Sequence, residues 1–263
     1  MKKALYTKKL KADRILCSLC AHQCIISPDS SGLCKIKLNK DGKLDAVAWE
    51  RVVEDEAISI DKIPVTDFLP DTLTYAITFP GNNFLGVGII DEKSKKATPD
   101  QLVKRAIRAK CESVTFIDNE PTMSMEMLLE TAKLARKEKL KVIVVTNGYL
   151  ADKALRDLLK VAHKIVVQIP TTNKLAFLKK TGAKLYNTQK TIREAIKTTT
   201  PVEMVTTLED GINTNMLDIL ELLTYVEEVK IPWHIMSNKH PELIEKIEEL
   251  LKTRETSDVH IYD

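Results

Sequence analysis

Four of the five cysteines lie between residues 17 and 34, in the run Cys17-Ser-Leu-Cys20-Ala-His-Gln-Cys24 and then Cys34 after Gly32-Leu33. The spacing is C-x2-C-x3-C-x9-C. Two thiolates separated by two residues grip one ion from a tight knuckle, and a second pair completes a tetrahedron. Four sulfurs suit zinc, and they also suit an iron–sulfur cluster. Zinc is the preferred reading at Cys17, Cys20, Cys24 and Cys34, because the set lies near the terminus and runs into a hairpin, as a structural site would. The competing reading is four reduced thiols packed as small hydrophobes. His22 is expected beside such a site and not in it, and Cys111, at a helix–strand junction, as a buried thiol.

A second set of polar residues falls at regular points further on. Asp118-Asn119-Glu120-Pro121-Thr122, Thr146-Asn147-Gly148-Tyr149, Gln168-Ile169-Pro170-Thr171-Thr172, Thr206-Thr207-Leu208-Glu209-Asp210-Gly211 and Trp233-His234 each follow an apolar run. Asn119 and Glu120 suit an ammonium group, and Thr146 and Asn147 suit a carboxylate or a ribose; Gln168 and His234 extend the set. Glu120, Glu209, Asp210 and His234 are the residues with general-base chemistry. Such residues also end strands and cap helices without further purpose. Five in series favour a pocket. No P-loop, nucleophile elbow or Gly-x-Gly-x-x-Gly opens a helix.

The elements that must position these residues alternate. Strands are predicted near 73–79, 113–117, 142–146, 164–169, 202–206 and 230–235. Helices are predicted near 99–110, 123–138, 151–160, 188–197, 214–226 and 241–252. Pro99 and Pro241 suit first helical turns, with Thr98, Thr122 and Asn213 as caps. Six β/α units imply a parallel sheet covered by helices. Six falls short of a closed barrel of eight, so the α/β fold is expected to be a partial (β/α)6 TIM-like barrel, with the doubly wound sheet as the alternative. Either one gathers strand C-termini into one site. Residues 1–70 are expected to form a Cys-rich, metal-binding appendage with a hairpin about Asp41-Gly42, and residues 71–263 the barrel. Residues 259–262 read as an added edge strand.

The bulk numbers exclude several classes. The chain has 263 residues, 40 basic and 37 acidic, for a net charge of +3. No basic stripe with interleaved aromatics marks a nucleic-acid face. No apolar run reaches the length of a membrane helix, and no signal-peptide region opens the chain, so a cytoplasmic protein is expected.

With these pieces together the chain resembles the radical S-adenosylmethionine (SAM) superfamily, in particular the AmmeMemoRadiSam-system radical SAM enzymes, relatives of the pyruvate formate-lyase-activating enzymes. The likeness is carried by CSLCAHQC…GLC, Asp41-Gly42-Lys43-Leu44, Asp67-Phe68-Leu69-Pro70, Asn119-Glu120-Pro121-Thr122, Val145-Thr146-Asn147-Gly148-Tyr149, Thr181-Gly182-Ala183, Val205-Thr206-Thr207 and Ile231-Pro232-Trp233-His234. It implies a SAM site at the barrel mouth, with Asn119-Glu120 where the family meets the SAM amino group.

The departure lies in the loop after the first barrel strand. There the family carries C-x3-C-x2-C for a 4Fe–4S cluster, and this chain has Asn82, Gly86 and Ile89. The family's Asp-Leu-Lys is replaced by Gln168-Ile169-Pro170, and the arginine usual after Trp-His is not in place. The resemblance therefore implies a scaffold without the radical chemistry: a SAM- or small-ligand-binding or regulatory protein, with a catalytic relative or another protein as its expected partner. The alternatives are an enzyme that uses SAM without radical cleavage, or a redox protein with its cluster on the N-terminal cysteines.

Overall fold

The computed structural model describes residues 2–85, 94–237, 239–254 and 258–262. The runs Lys-Val-Ile-Val-Val-Thr at 141–146 and Lys-Ile-Val-Val-Gln at 164–168 are apolar on successive residues. A strand buried on both faces requires that pattern. These runs sit in an eight-stranded sheet, whose strands we number β1 (Glu54–Ser59), β2 (Leu73–Thr78), β3 (Ser113–Phe116), β4 (Lys141–Thr146), β5 (Lys164–Gln168), β6 (Val202–Thr207), β7 (Trp233–Met236) and β8 (Val259–Tyr262). Spatial order follows chain order. Neighbours from β2 to β8 run parallel, while β1 pairs antiparallel with β2, Glu54 opposite Thr78.

Alternate residues of each strand divide between two cores. Val142, Val144, Ile165, Val167 and Met204 pack into the large core under the helices. Ile143, Val145, Val166 and Val205 face the other way and meet Ile58 of β1 and Ile60, Ile63, Val65 and Phe68 from the segment that follows it. The helices are α1 (Pro99–Arg108), α2 (Met125–Lys137), α3 (Asp152–Leu159), α4 (Lys174–Thr181), α5 (Leu185–Ile196), α6 (Met216–Val229) and α7 (Pro241–Lys252). This is an α/β protein with a parallel sheet of the partial-barrel type, with small antiparallel sheets at its N-terminus.

The six expected strands and six expected helices are present. The sheet adds β1 and the edge strand β8, and α4 lies between β5 and α5. Thr98 caps α1 through a reciprocal box with Gln101. The other two caps differ from expectation. Glu120 caps a short 3-10 turn, Pro121–Ser124, that delays α2 until Met125. Asn215, not Asn213, caps α6 by accepting from the Asp218 N–H at 3.0 Å.

At the N-terminus Thr7–Lys9, Ile15–Cys17 and Ile25–Ile26 form one antiparallel sheet. Lys2–Lys3, Lys43–Ala46 and Lys37–Lys40 form another. The hairpin turns at Asp41-Gly42, both at positive φ (51° and 68°), which is the two-residue turn that matches strand twist. Lys37 and Glu126 form a buried ion pair at 2.5 Å, and Glu126 also accepts from the Leu5 N–H at 2.8 Å. One carboxylate at the start of α2 thus ties the Lys37–Lys40 strand and the Leu5 backbone, which links the two small sheets, to the barrel.

Candidate functional site at the mouth of the half-barrel

A cavity of about 210 Å³ opens where β3 to β6 end. The loop after β2 supplies Asn82 and Phe84, the loop after β3 supplies Asn119, and the loop after β4 supplies Asn147. Gln168, Ile169 and Pro170 come from the end of β5, Lys180 and Thr181 from α4, and Val205, Thr207 and Glu209 from β6 and its loop. Three predicted residues, Asn119, Asn147 and Gln168, are therefore brought together. Among the described residues the Gln168 amide, the Thr207 hydroxyl, Asn119 Oδ1 and Asn82 Nδ2 have no hydrogen-bond partner. Asn147 differs: its Nδ2 donates to Asn83 Oδ1 at 2.7 Å, and its Oδ1 accepts from the Tyr149 N–H at 3.0 Å.

Glu120 and Thr146 stand behind this wall. Glu120 is fully buried. Its Oε1 accepts from the Thr122 N–H (3.1 Å), the Thr122 hydroxyl (2.5 Å) and the Thr146 hydroxyl (2.7 Å), and its Oε2 from the Asn147 N–H at 2.7 Å. Burial pushes its pKa up, and the four donors oppose that push. The carboxylate ties the loop after β3 to the end of β4. Both Glu120 oxygens accept from protein donors, and the residue does not line the cavity at which its contact with a ligand ammonium was expected. Asn119, next to it, adopts φ 44° after Asp118 at φ 58°, and its Nδ2 donates to Phe79 O at 2.9 Å. Two successive left-handed residues without glycine are held there by these bonds.

His234 is likewise not in the cavity. Its Nε2 meets Glu203 Oε2 at 2.6 Å and its Nδ1 meets the Tyr262 hydroxyl at 3.1 Å, while its ring stacks on His260. Glu203 also accepts from Lys164 and from the Thr66 N–H at 3.0 Å, and Lys164 donates to Thr66 O at 2.7 Å. Lys164 and Glu203 open β5 and β6, so this buried network lies toward the strand starts and clamps the segment that covers the inner core. Burial pushes Glu203 up, but the bonds from His234 and Lys164 outweigh it and hold the carboxyl below its usual range.

Cys17, Cys20 and Cys34 are buried and Cys24 is half-buried. Backbone N–H groups of Leu19 at Cys17, of His22 at Cys20 and of Ile36 and Lys37 at Cys34 favour the thiolates, but burial outweighs them. Burial pushes the Cys17 and Cys20 thiols up to about 11 and about 12. Among the described residues no group of three or more His, Cys, Asp or Glu side chains is placed to hold a metal ion. The cysteine loop is not remote from the mouth. Cys20 bridges to Leu150, His22 Nε2 meets Asn83 O at 2.8 Å, and the His22 ring lies 4.8 Å from that of Tyr149. Asn83 stands between two residues of the cavity wall.

Lys180 and Phe84 line the cavity without having been foreseen. Lys180 belongs to α4, an eight-residue helix that buries only Phe177 and Thr181, so its sequence shows no apolar stripe. The one signal was Gly182 in Thr181-Gly182-Ala183. Gly182 ends α4 at φ 68°, and a Cβ there would come within 2.4 Å of Leu85 Cγ. The Leu85 N–H donates to Thr181 O at 2.9 Å. The positions aligned with the family's other two cysteines, Gly86 and Ile89, lie outside the described residues.

Comparison with known proteins agrees with this geometry. The uncharacterized protein MJ0808 of Methanocaldococcus jannaschii is 27% identical over 255 residues, which cover 92% of this chain and 75% of that protein. A radical SAM methyltransferase from Sphaerobacter thermophilus superposes with a TM-score of 0.58 at 15% identity, over 74% of this chain and 67% of that one. Streptococcus suis SuiB bound to S-adenosylmethionine does so with a TM-score of 0.53 at 15% identity, over 63% of this chain and 42% of SuiB, so this chain spans less than half of SuiB. The shared architecture is that of a half-barrel. The family model of the radical SAM superfamily matches residues 86–254, well over half of the chain, and the chain belongs to that superfamily.

Proposed function

We propose that this protein is a cytoplasmic member of the superfamily that binds a small polar molecule at the barrel mouth without cleaving SAM through a cluster in the loop after β2. One observation carries the reading. No cysteine occurs between Cys34 and Cys111, so that loop offers Asn82 where a thiolate would be needed. Amides and hydroxyls are poor ligands for iron. The cavity supports the binding half of the reading, with four polar groups that have no hydrogen-bond partner among the described residues and an apolar wall of Phe84, Ile169, Pro170 and Val205. SAM, which SuiB holds, is the first ligand to test, together with a polar group transfer from it.

The metal at Cys17, Cys20, Cys24 and Cys34 is read as structural zinc. Its support is the C-x2-C-x3-C-x9-C spacing. A second reading, an iron–sulfur cluster on the same cysteines, is favoured by one contact. The cysteine loop touches Asn83 and Tyr149, so such a cluster would lie beside the mouth and not on a distant appendage.

The test is anaerobic purification, metal and sulfide assay, and incubation with SAM under dithionite. Expected are about one zinc per chain, no acid-labile sulfide, loss of the metal in a Cys17→Ser/Cys20→Ser variant, and no 5′-deoxyadenosine. About four irons with sulfide would move the second reading to the front, and 5′-deoxyadenosine would end the first.

A further inference from the structure

Among the described residues two charged side chains line the cavity, Lys180 and Glu209, and they pair with each other across it, one from the last turn of α4 and one from the loop after β6. We propose that the ligand is a small zwitterion of the α-amino acid class with an uncharged side chain. Its carboxylate takes the place of Glu209 on Lys180, and its ammonium takes the place of Lys180 on Glu209. The proposal rests on the cavity being a ligand site, and it names the ligand's class.

Charge selects the class first. Among the described residues the lining is neutral overall, and every other polar side chain in it is an amide or a hydroxyl. An anion reaching for Lys180 meets the Glu209 carboxylate, and a cation reaching for Glu209 meets the Lys180 ammonium; like-charge contacts reject both. A molecule with both charges on adjacent groups satisfies the two side chains at once and exchanges one ion pair for two. Breaking the existing pair costs little, because the Glu209 side chain is 52% exposed and the Lys180 side chain 27% exposed.

The supports on either side are fixed. The Asn213 side chain, fully buried, accepts from the Glu209 N–H at 2.7 Å and donates to Pro170 O and Thr207 O, which sets the Glu209 loop. Lys180 is held through Thr181, whose hydroxyl donates to Phe177 O at 2.7 Å.

Size and the remaining wall select within the class. A cavity of about 150 Å³ takes a molecule the size of benzene, so about 210 Å³ suits an amino acid better than a dinucleotide. The side chain would run along Ile169, Pro170 and Val205 and end near the Gln168 amide and Asn119 Oδ1, which have no hydrogen-bond partner among the described residues. An apolar stem with a neutral polar or polarisable tip fits that path.

The experiment is calorimetry on the full chain with L-glutamine and L-methionine, with the analogue of each lacking the carboxylate and the analogue lacking the ammonium, and with adenosine as a neutral probe. The same titrations are run on Lys180→Gln and Glu209→Gln, with a melting curve for each variant to show that it folds. At least one amino acid is expected to bind with Kd below about 1 mM. Both of its analogues and both variants are expected to weaken that binding by about tenfold or more. Lys180→Gln is further expected to stop distinguishing the amino acid from its carboxylate-free amine. Equal binding by the analogues, unchanged binding in the variants, or adenosine binding where neither amino acid binds overturns the zwitterion and leaves the cavity reading standing. No binding by any probe or by SAM overturns both.

Discussion

Replacing Glu120 separates a strut from a ligand-binding group. In Glu120→Ala the Thr122 and Asn147 N–H groups and the Thr122 and Thr146 hydroxyls all lose their acceptor. The hydroxyls can turn toward other oxygens, but the two amides cannot. An unsatisfied buried donor costs about 1–3 kcal/mol, so the pair of amides and the vacated space together cost about 3–5 kcal/mol. Glu120→Gln is more discriminating. It keeps Oε1 as an acceptor for the threonines and turns an N–H toward the Asn147 amide, a donor facing a donor, for about 2–3 kcal/mol. In a chain of this size 1 kcal/mol moves Tm by roughly 2–4 °C, so Glu120→Gln should melt about 4–12 °C lower. Urea unfolding and thermal circular dichroism measure both variants, and calorimetry with SAM or an amino acid measures binding. A Glu120→Gln protein as stable as the parent but without ligand affinity would refute the reasoning and return Glu120 to the cavity.

Two other perturbations probe the charges inside the fold. His163 accepts the Val142 N–H at Nδ1 and faces the Arg136 guanidinium; burial first, then Arg136 and Lys141, lower its pKa to about 4. The unfolded chain binds a proton there at higher pH than the folded one, so stability should fall as pH drops from about 6.5 toward 4, and His163→Gln should flatten that part of the urea-midpoint profile. Lys164→Met leaves the buried Glu203 with His234 and the Thr66 N–H and should cost about 3–5 kcal/mol by urea unfolding, whereas Lys164→Met/Glu203→Leu should recover much of the loss.

What could be read in advance was whatever repeats along the chain. The six β/α units show because each strand is an apolar run and each longer helix carries an apolar stripe. Asn119, Asn147 and Gln168 could be named because residues that end parallel strands converge in space. Glu120 and His234 share that position in sequence, and their outcome was set by which donors three other segments present to them. Thr122, Thr146 and Asn147 claim Glu120; Glu203 and Tyr262 claim His234. Such partners have no periodicity. Lys180 was hidden because α4 buries too little apolar surface to show a period. The closeness of His22 to Asn83 depends on how the N-terminal sheets dock, which two residues 61 positions apart do not disclose.

The antiparallel strand β1 also bears on solubility. It carries Glu54, Asp55 and Glu56 in succession along the outer edge of the sheet. A second copy approaching that edge would set carboxylates against carboxylates, which discourages intermolecular strand addition. Behind it lies Leu73-Thr-Tyr-Ala-Ile-Thr78, uncharged, rich in strand-forming residues and buried after its first position. A fragment beginning at residue 71 would keep every parallel strand and present this one as a bare, sticky edge. The acidic strand is thus a guard against fibre-like stacking, and the half-barrel on its own would have an aggregation-prone border in its place.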